Sequence, residues 1–403
     1  MSRYDFTTLP DRTGSMAEKF CNMRALNPSV KQDVIPFSVA DMDFVKPQEL
    51  TQGLADFIRE TIFGYTLIPG SYYDTLLGWM KRRHGLDIPR EYLLDVDNVI
   101  AALRQMIRTF TQPGSGVIVM TPAYPAFLSS VEATRRRLVS CPLVLEDGRY
   151  RIDFDLLEKL CQDPDTSLLV FCNPHNPIGR LWTREELAST ARICLENGVF
   201  IVSDEIHWDL ILPGYSFVSM ASLDETYLKN CAVSTSFTKT FNLAALKGAT
   251  VIMADPDRRR KYEEGNSVPG RDLLSYAACE IAYKKCEEWL EELLQTLAAN
   301  RALMKEYFAD HIPEAVLTEH QATYLQWIDF RFLQMDAKAL EHFMAYEAQC
   351  FFTEGYKFGE GGSGFERWNF ACPQDVLLAG MERMAGAVER WKHSRTLRDP
   401  LFI

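Results

Sequence analysis

At 403 residues, with 47% hydrophobic and 24% charged side chains, the chain has the make-up of a globular protein large enough for one big domain plus a smaller one. Its 43 basic against 55 acidic side chains give a formal charge of −12, which argues against a nucleic-acid or anionic-membrane partner. The first residues lack the apolar core of a signal peptide, no run is long enough to span a bilayer, and the ten cysteines lie scattered without metal or redox spacing, so a reducing cytoplasm is the expected setting.

The first forty residues are mixed in character and punctuated by proline, and read as an arm that packs on another part of the assembly. Ile35–Phe44 reads as a short strand running into a loop, with Asp41 and Asp43 as turn and cap residues. Helical patterning resumes over Pro47–Glu60, and a glycine-containing loop then presents Tyr65. From about residue 98 short apolar runs alternate with helices. Gly116–Met120, Ser167–Cys172, Val199–Ser203, Cys231–Ser236 and Ala249–Met253 are continuous rather than alternating, as strands buried on both faces of a mainly parallel sheet are. Between two of them, Thr183 and Glu186 form a capping box and Asn197-Gly198 closes a helix, which is the strand–helix–strand signature of an α/β domain. Beyond about residue 275 long charged helices, Ser275–Phe308 and Asp336–Gln349, mark a second, α+β domain with strand-like Tyr324–Asp329 and Arg367–Ala371.

One lysine stands out. Lys239 follows a run suited to a buried strand, where a free ammonium is costly and loses its proton readily, which suits imine formation with an aldehyde. Ser236, Thr238 and Lys247 nearby offer hydroxyls and a positive charge to a phosphate. An aldehyde that also carries a phosphate is pyridoxal 5′-phosphate (PLP). Ligands of open α/β sheets sit outside the carboxyl ends of the strands, and there the chain places three further polar residues. Tyr124, between prolines, would stack on the cofactor ring. Asn176, in a loop held by two prolines, would donate to its phenolic oxygen. Asp204 would keep its pyridine nitrogen protonated. Singly these have ordinary readings: a core ring, a turn former, a helix cap. Together, at successive strand ends, they favour the cofactor.

The motifs Asn-Pro-His-Asn-Pro-Ile-Gly (173–179), Ser-Asp-Glu-Ile-His (203–207) and Ser-Phe-Thr-Lys-Thr-Phe-Asn-Leu (236–243) resemble those of the fold-type I PLP enzymes of the class I/II aminotransferase superfamily. More narrowly, Ala-Asp-Met-Asp-Phe (40–44), Phe-Gly-Tyr-Thr (63–66), Trp182-Thr183 and Phe-Glu-Arg-Trp-Asn-Phe-Ala-Cys-Pro (365–373) resemble the MalY/PatB group of cystathionine β-lyases. The resemblance implies the PLP transferase fold: a large domain at 46–290 with a mainly parallel seven-stranded sheet flanked by helices, plus a smaller α+β domain formed by 1–45 and 291–403. It implies that Lys239 carries the cofactor, that Asp204 meets the pyridine nitrogen and Asn176 the phenolic oxygen, and that Tyr124 stacks on the ring. Ser236, Thr238 and Lys247 hold the phosphate, and Tyr65 reaches it from the other subunit of a homodimer. Arg367 clamps the carboxylate of an amino-acid substrate bordered by Asn176 and Tyr124, a role that the bidentate guanidinium fork suits.

Three positions depart from the group's pattern. Ile100–Leu103 replaces a Gly-x-Ser turn, leaving the backbone N–H groups of Ala101, Ala102 and Leu103 at a helix start for the phosphate. His207 stands where many aminotransferases carry a tyrosine, and Lys19-Phe20-Cys21 stands for a Lys-Trp-Asp. The resemblance implies a carbon–sulfur β-lyase that cleaves cystathionine, cysteine or related S-conjugates to pyruvate, ammonia and a thiol. An aminotransferase uses the same residues up to loss of the α-proton, and a protein of this fold kept for binding a regulator is a third reading.

Overall fold

β-Branched residues dominate the apolar runs, and a pleated strand sends successive side chains to opposite faces. In the computed structural model, which describes residues 3–265 and 273–396, all five runs form strands of one seven-stranded sheet. Its members are β1 (Leu93–Val96), β2 (Gly116–Thr121), β3 (Arg137–Pro142), β6 (Thr166–Cys172), β7 (Phe200–Asp204), β8 (Cys231–Thr235) and β9 (Ala249–Ile252), while β4 (Val144–Glu146) and β5 (Arg149–Arg151) form a separate hairpin. The order across the sheet is β1-β9-β8-β7-β6-β2-β3. β3, β2, β6, β7 and β8 run parallel, and β9 alone opposes its neighbours on both sides. The expected mainly parallel sheet is the one found.

Alternation divides the core in two. Val117, Val119, Leu168, Val170, Phe200 and Val202 pack with Leu103, Met106 and Ile107 of the helix Val99–Phe110. Ile118, Leu169, Phe171, Ile201 and Val233 enter the larger cluster on the opposite face. With each such side chain contributing about 1.5–3 kcal/mol on full burial, a one-residue slip of a strand would exchange two whole cores. The capping box is present: Thr183 Oγ1 accepts from the Glu186 N–H at 3.2 Å, and Glu186 Oε2 accepts from the Thr183 N–H at 2.8 Å.

A second sheet of four antiparallel strands, β10 (Val316–Leu317), β11 (Leu325–Asp329), β13 (Phe365–Asn369) and β12 (Thr353–Glu354) in that order, packs with the helices Glu287–His311 and Gln374–Thr396. This is the expected α+β portion, with differences. The helix read over Ser275–Phe308 is two, Leu273–Lys285 and Glu287–His311, because Cys286 leaves helical geometry at φ −114°, ψ 17°. The helix read over Asp336–Gln349 ends at His342 and continues as the wide turn Phe343–Glu347.

Ile35–Phe44 forms no strand. It is tied by scattered bonds, Phe37 N–H to Phe351 O at 2.8 Å, Asn369 N–H to Phe37 O at 2.9 Å and Asp43 N–H to Ala371 O at 2.8 Å, rather than lying along one neighbour. The N-terminal arm from Arg3 onward packs on its own chain, where Phe6 meets Phe44 edge-on at 5.2 Å and Trp289 at 5.6 Å. Asp41 and Asp43 are ion-pair partners of Arg12 and Lys19 rather than turn and cap residues.

Candidate active site

Strand register assembles the site. Cys172, Asp204 and Ser234 lie side by side at the carboxyl ends of β6, β7 and β8, and the loops that follow turn over the same edge. After β8 the Ser236 hydroxyl accepts from the Thr238 N–H at 3.1 Å, starting the short helix Phe237–Thr240 that carries Lys239. The result is a cavity of about 160 Å³ lined by Ala40, Tyr124, Asn176, Asp204, His207, Ser236, Thr238, Lys239 and Lys247, together with Asn98, Val99 and Ile100.

Lys239 donates from Nζ to the Ala40 carbonyl at 2.7 Å. Burial, with the Arg367 charge adding to it, lowers its pKa to about 8. Asp204 accepts from the Ile206 N–H at 3.0 Å, and burial raises its pKa to about 7. A carboxyl so placed gains from a cationic N–H partner, which a protonated pyridine provides. His207 is held neutral, its pKa pushed down to about 3 by burial and by the Lys239 and Arg367 charges, and its Nδ1 has no protein partner. Tyr124 lies edge-on to Phe127 at 5.6 Å, its pKa raised by burial.

Arg367 is buried with no carboxylate bonded to it. One guanidinium nitrogen donates to Asn176 Oδ1 and another to Thr353 Oγ1, each at 3.1 Å, while Nε has no partner. Burial lowers its pKa to about 10. A desolvated guanidinium with a spare donor is a receptor for an anion. At the far end of the cavity the Ser236 hydroxyl donates to the Gly248 carbonyl at 2.7 Å and accepts from the Thr238 hydroxyl at 2.6 Å, so the Thr238 proton meets a phosphate only by turning away from Ser236. The orphaned Arg367 Nε, the acid-end Asp204 and the hydroxyl–lysine end fit PLP and the carboxylate of an amino acid.

Three residues expected at this cavity do not line it, and Tyr65 is expected at the site of another subunit. Tyr65 is fully exposed and contributes nothing to this chain's own cavity. Ala101, Ala102 and Leu103 do not reach it. Asn98 caps the helix, its Oδ1 accepting the Ala101 N–H at 2.8 Å and its carbonyl the Ala102 N–H at 3.1 Å, while Leu103 enters the core. Val99 and Ile100, the two residues just before them, line the cavity instead. The N-cap asparagine was a readable signal.

Contacts invisible in the sequence surround Lys239. The Tyr324 hydroxyl also donates to the Ala40 carbonyl at 3.0 Å, Asn369 Nδ2 donates to the Val39 and Asp41 carbonyls at 2.8 and 2.6 Å, and Asn242 bonds both backbone groups of Met42 at 2.9 Å.

Residues 32–383 match the aminotransferase class I and II family. Cystathionine β-lyase PatB of Bacillus subtilis is 35% identical over 88% of this chain and 93% of its own, and protein MalY of Escherichia coli is 28% identical over 96% and 99%. The crystal structure of cystalysin from Treponema denticola, which contains a pyridoxal 5′-phosphate cofactor, superposes with a TM-score of 0.94 at 41% identity, covering 96% of this chain and 99% of that one. A PLP-bound C-S lyase from Staphylococcus hominis in complex with L-cycloserine superposes with a TM-score of 0.89 at 27% identity, covering 95% and 98%. The strand-end constellation and these likenesses agree, and the chain belongs to the class I and II aminotransferase family of PLP-dependent enzymes, alongside the PatB and MalY cystathionine β-lyases.

Proposed function

We propose that the protein is a PLP-dependent carbon–sulfur β-lyase that converts cystathionine, cysteine or a related S-conjugate, with water, to pyruvate, ammonia and a thiol. One observation carries the chemistry: a desolvated amine, Lys239, shares a cavity with a buried acid, Asp204, and lies near a buried, acid-free guanidinium, Arg367. The similarity to PatB and to the C-S lyases favours elimination over amino transfer.

When bound, PLP supplies an electron sink for negative charge at the substrate's α-carbon. The chain's own groups do the rest. Arg367, with Asn176 beside it, binds the carboxylate and fixes which face of the α-carbon turns to Lys239. The Lys239 amine, with a pKa of about 8, is partly unprotonated near neutrality and takes the α-proton. Asp204 would hold a proton on the pyridine nitrogen, Tyr124 would cover the ring, and His207 would offer it a neutral imidazole. Ser236, Thr238, Lys247 and the N–H groups of Val99 and Ile100 would hold the phosphate. Breaking the Cβ–S bond releases the thiol, and water completes the conversion of the remaining three-carbon unit. Purified protein given cystathionine is expected to form pyruvate without an added keto acid. Turnover that requires a keto acid would instead establish an aminotransferase.

We also assign the active form as a cytoplasmic homodimer with shared sites, each chain divided into a large unit at 46–290 and a small one formed by 1–45 and 291–403. All ten cysteines are free thiols and nine are buried, which suits a reducing compartment. Tyr65 is exposed among exposed Ile62, Phe63 and Leu67, as a residue reaching into a partner's site would be in a single chain. A phenol–phosphate hydrogen bond is charge-assisted, so Tyr65→Phe is expected to cost roughly 1.5–3 kcal/mol, about ten- to a hundredfold in cofactor affinity, with the fold intact. Mixing Tyr65→Phe with Lys239→Ala subunits puts both lesions in one site of a heterodimer and neither in the other. Activity should therefore return after subunit exchange. If it stays at the sum of the two parents, Tyr65 acts within its own chain.

A further inference from the structure

Two features of the sequence that the chemistry above does not use, the arm lysine and the loop acids, form a single device. Arg12 reaches Asp41 and Asp43 at 2.7 Å each, and Lys19 reaches the same two carboxylates at 2.8 Å each, closing a square of two cations and two anions. Lys19 is fully buried, and its Nζ also donates to the Asp41 carbonyl at 3.2 Å. The charges sum to zero, so the square adds no net charge beside the cavity. What it supplies is position. Val39, at the head of this strap, has φ +58°, a strained conformation for a β-branched residue that persists only where its surroundings impose it. They do so on every side: Asn369 grips the carbonyls of Val39 and Asp41, Asn242 brackets Met42, and the ion square anchors Asp41 and Asp43. In the middle lies the Ala40 carbonyl, the acceptor for Lys239 Nζ.

We propose that Lys19, with Arg12, is a positioning residue for the reaction: by pinning Asp41 and Asp43 it holds the Ala40 carbonyl at Lys239 and so aims the reacting amine. The inference rests on Lys239 being that amine, which Lys239→Ala tests on its own through loss of cofactor attachment. A simple structural staple is the rival account. Removing one ion of a buried set leaves an uncompensated charge and destabilises the fold whatever else it does, so Lys19→Met alone does not separate the two. Lys19→Met/Asp43→Asn keeps the cluster neutral, with Arg12 facing Asp41, yet releases the strap. Tyr324→Phe touches no charge and removes only the hydroxyl that donates to the same Ala40 carbonyl.

The test measures kcat and KM of the loaded enzyme with an S-alkyl cysteine, and the thermal unfolding midpoint. It also measures acetylation of Lys239 by acetic anhydride in the full chain freed of cofactor, read by mass spectrometry against exposed Lys261. Both variants are expected to keep an unfolding midpoint close to that of the wild type while kcat falls about ten- to a hundredfold, as misplacement of a reacting group does, and KM stays within about twofold. Lys239 acetylation relative to Lys261 is expected to change in both. Wild-type kcat and wild-type Lys239 labelling in either variant overturns the proposal, and so does a loss confined to KM. If the double variant does not fold, Tyr324→Phe decides by the same criteria.

Discussion

Lys239→Ala is expected to abolish the covalent attachment of cofactor that borohydride traps in the wild type, and to lower turnover by roughly 10²–10⁴-fold through loss of the general base alone. The expectation follows from geometry. The Lys239 amine lines the cavity, burial has lowered its pKa to about 8, and it projects from a helix turn that begins at the Ser236 cap. Lys247, the other lysine of the cavity wall, is the one proposed above for the phosphate. Peptide mapping after borohydride reduction checks the assignment directly. An adduct that persists on Lys247, or on any other lysine of the variant, would overturn it.

Asp204 is expected to have the next largest effect. Asp204→Ala should retain some cofactor through the phosphate contacts yet lose about 10²–10³-fold in turnover, the scale for removing one preorganised electrostatic partner. Normal turnover in this variant would mean that another group keeps the pyridine protonated. The same residue gives a stability signature in cofactor-free protein. Burial raises its pKa from 3.8 to about 7, so the folded state holds the proton more tightly than the unfolded chain does. Its contribution is therefore complete below pH 3.8 and is lost as pH rises towards and through about 7. Asp204→Asn removes that dependence. The denaturation midpoint of cofactor-free wild type should fall relative to the variant between about pH 4 and about pH 7, the span set by the two pKa values. Saturating cofactor should reverse the difference, because a pyridinium N–H stabilises the ionised carboxyl. A constant gap across this range would show that Asp204 is not the buried acid described. Comparison of two variants at each pH matters because buried His175, His207 and His320, with lowered pKa values, act in the opposite sense.

Much of this architecture is local and so was readable. Runs such as Val117–Met120 and Leu168–Cys172 are apolar at every position because both faces of their strands are covered, and the capping box at Thr183 needs only residues three apart. The polar residues that end those strands, Tyr124, Asn176, Asp204 and Lys239, stand out against the same apolar background, and the parallel register then brings them to one edge. Local reasoning overlooked a local competitor: Asn98 takes the Ala101 N–H, and it is Val99 and Ile100 that line the cavity.

The sequence by itself thus determined the parallel sheet and set Lys239 and Asp204 just at or beyond its strand ends, because periodicity and strand ends are properties of neighbouring residues. Only the tertiary structure decided what fixes them. Arg367 meets Asn176 across 191 positions of chain, Lys239 meets the Ala40 carbonyl across 199, and Lys19 reaches Asp43 through an arm with no regular strand to guide it. Such pairings carry no repeating pattern, since they depend on how two separately folded sheets and a strained strap come to rest against each other.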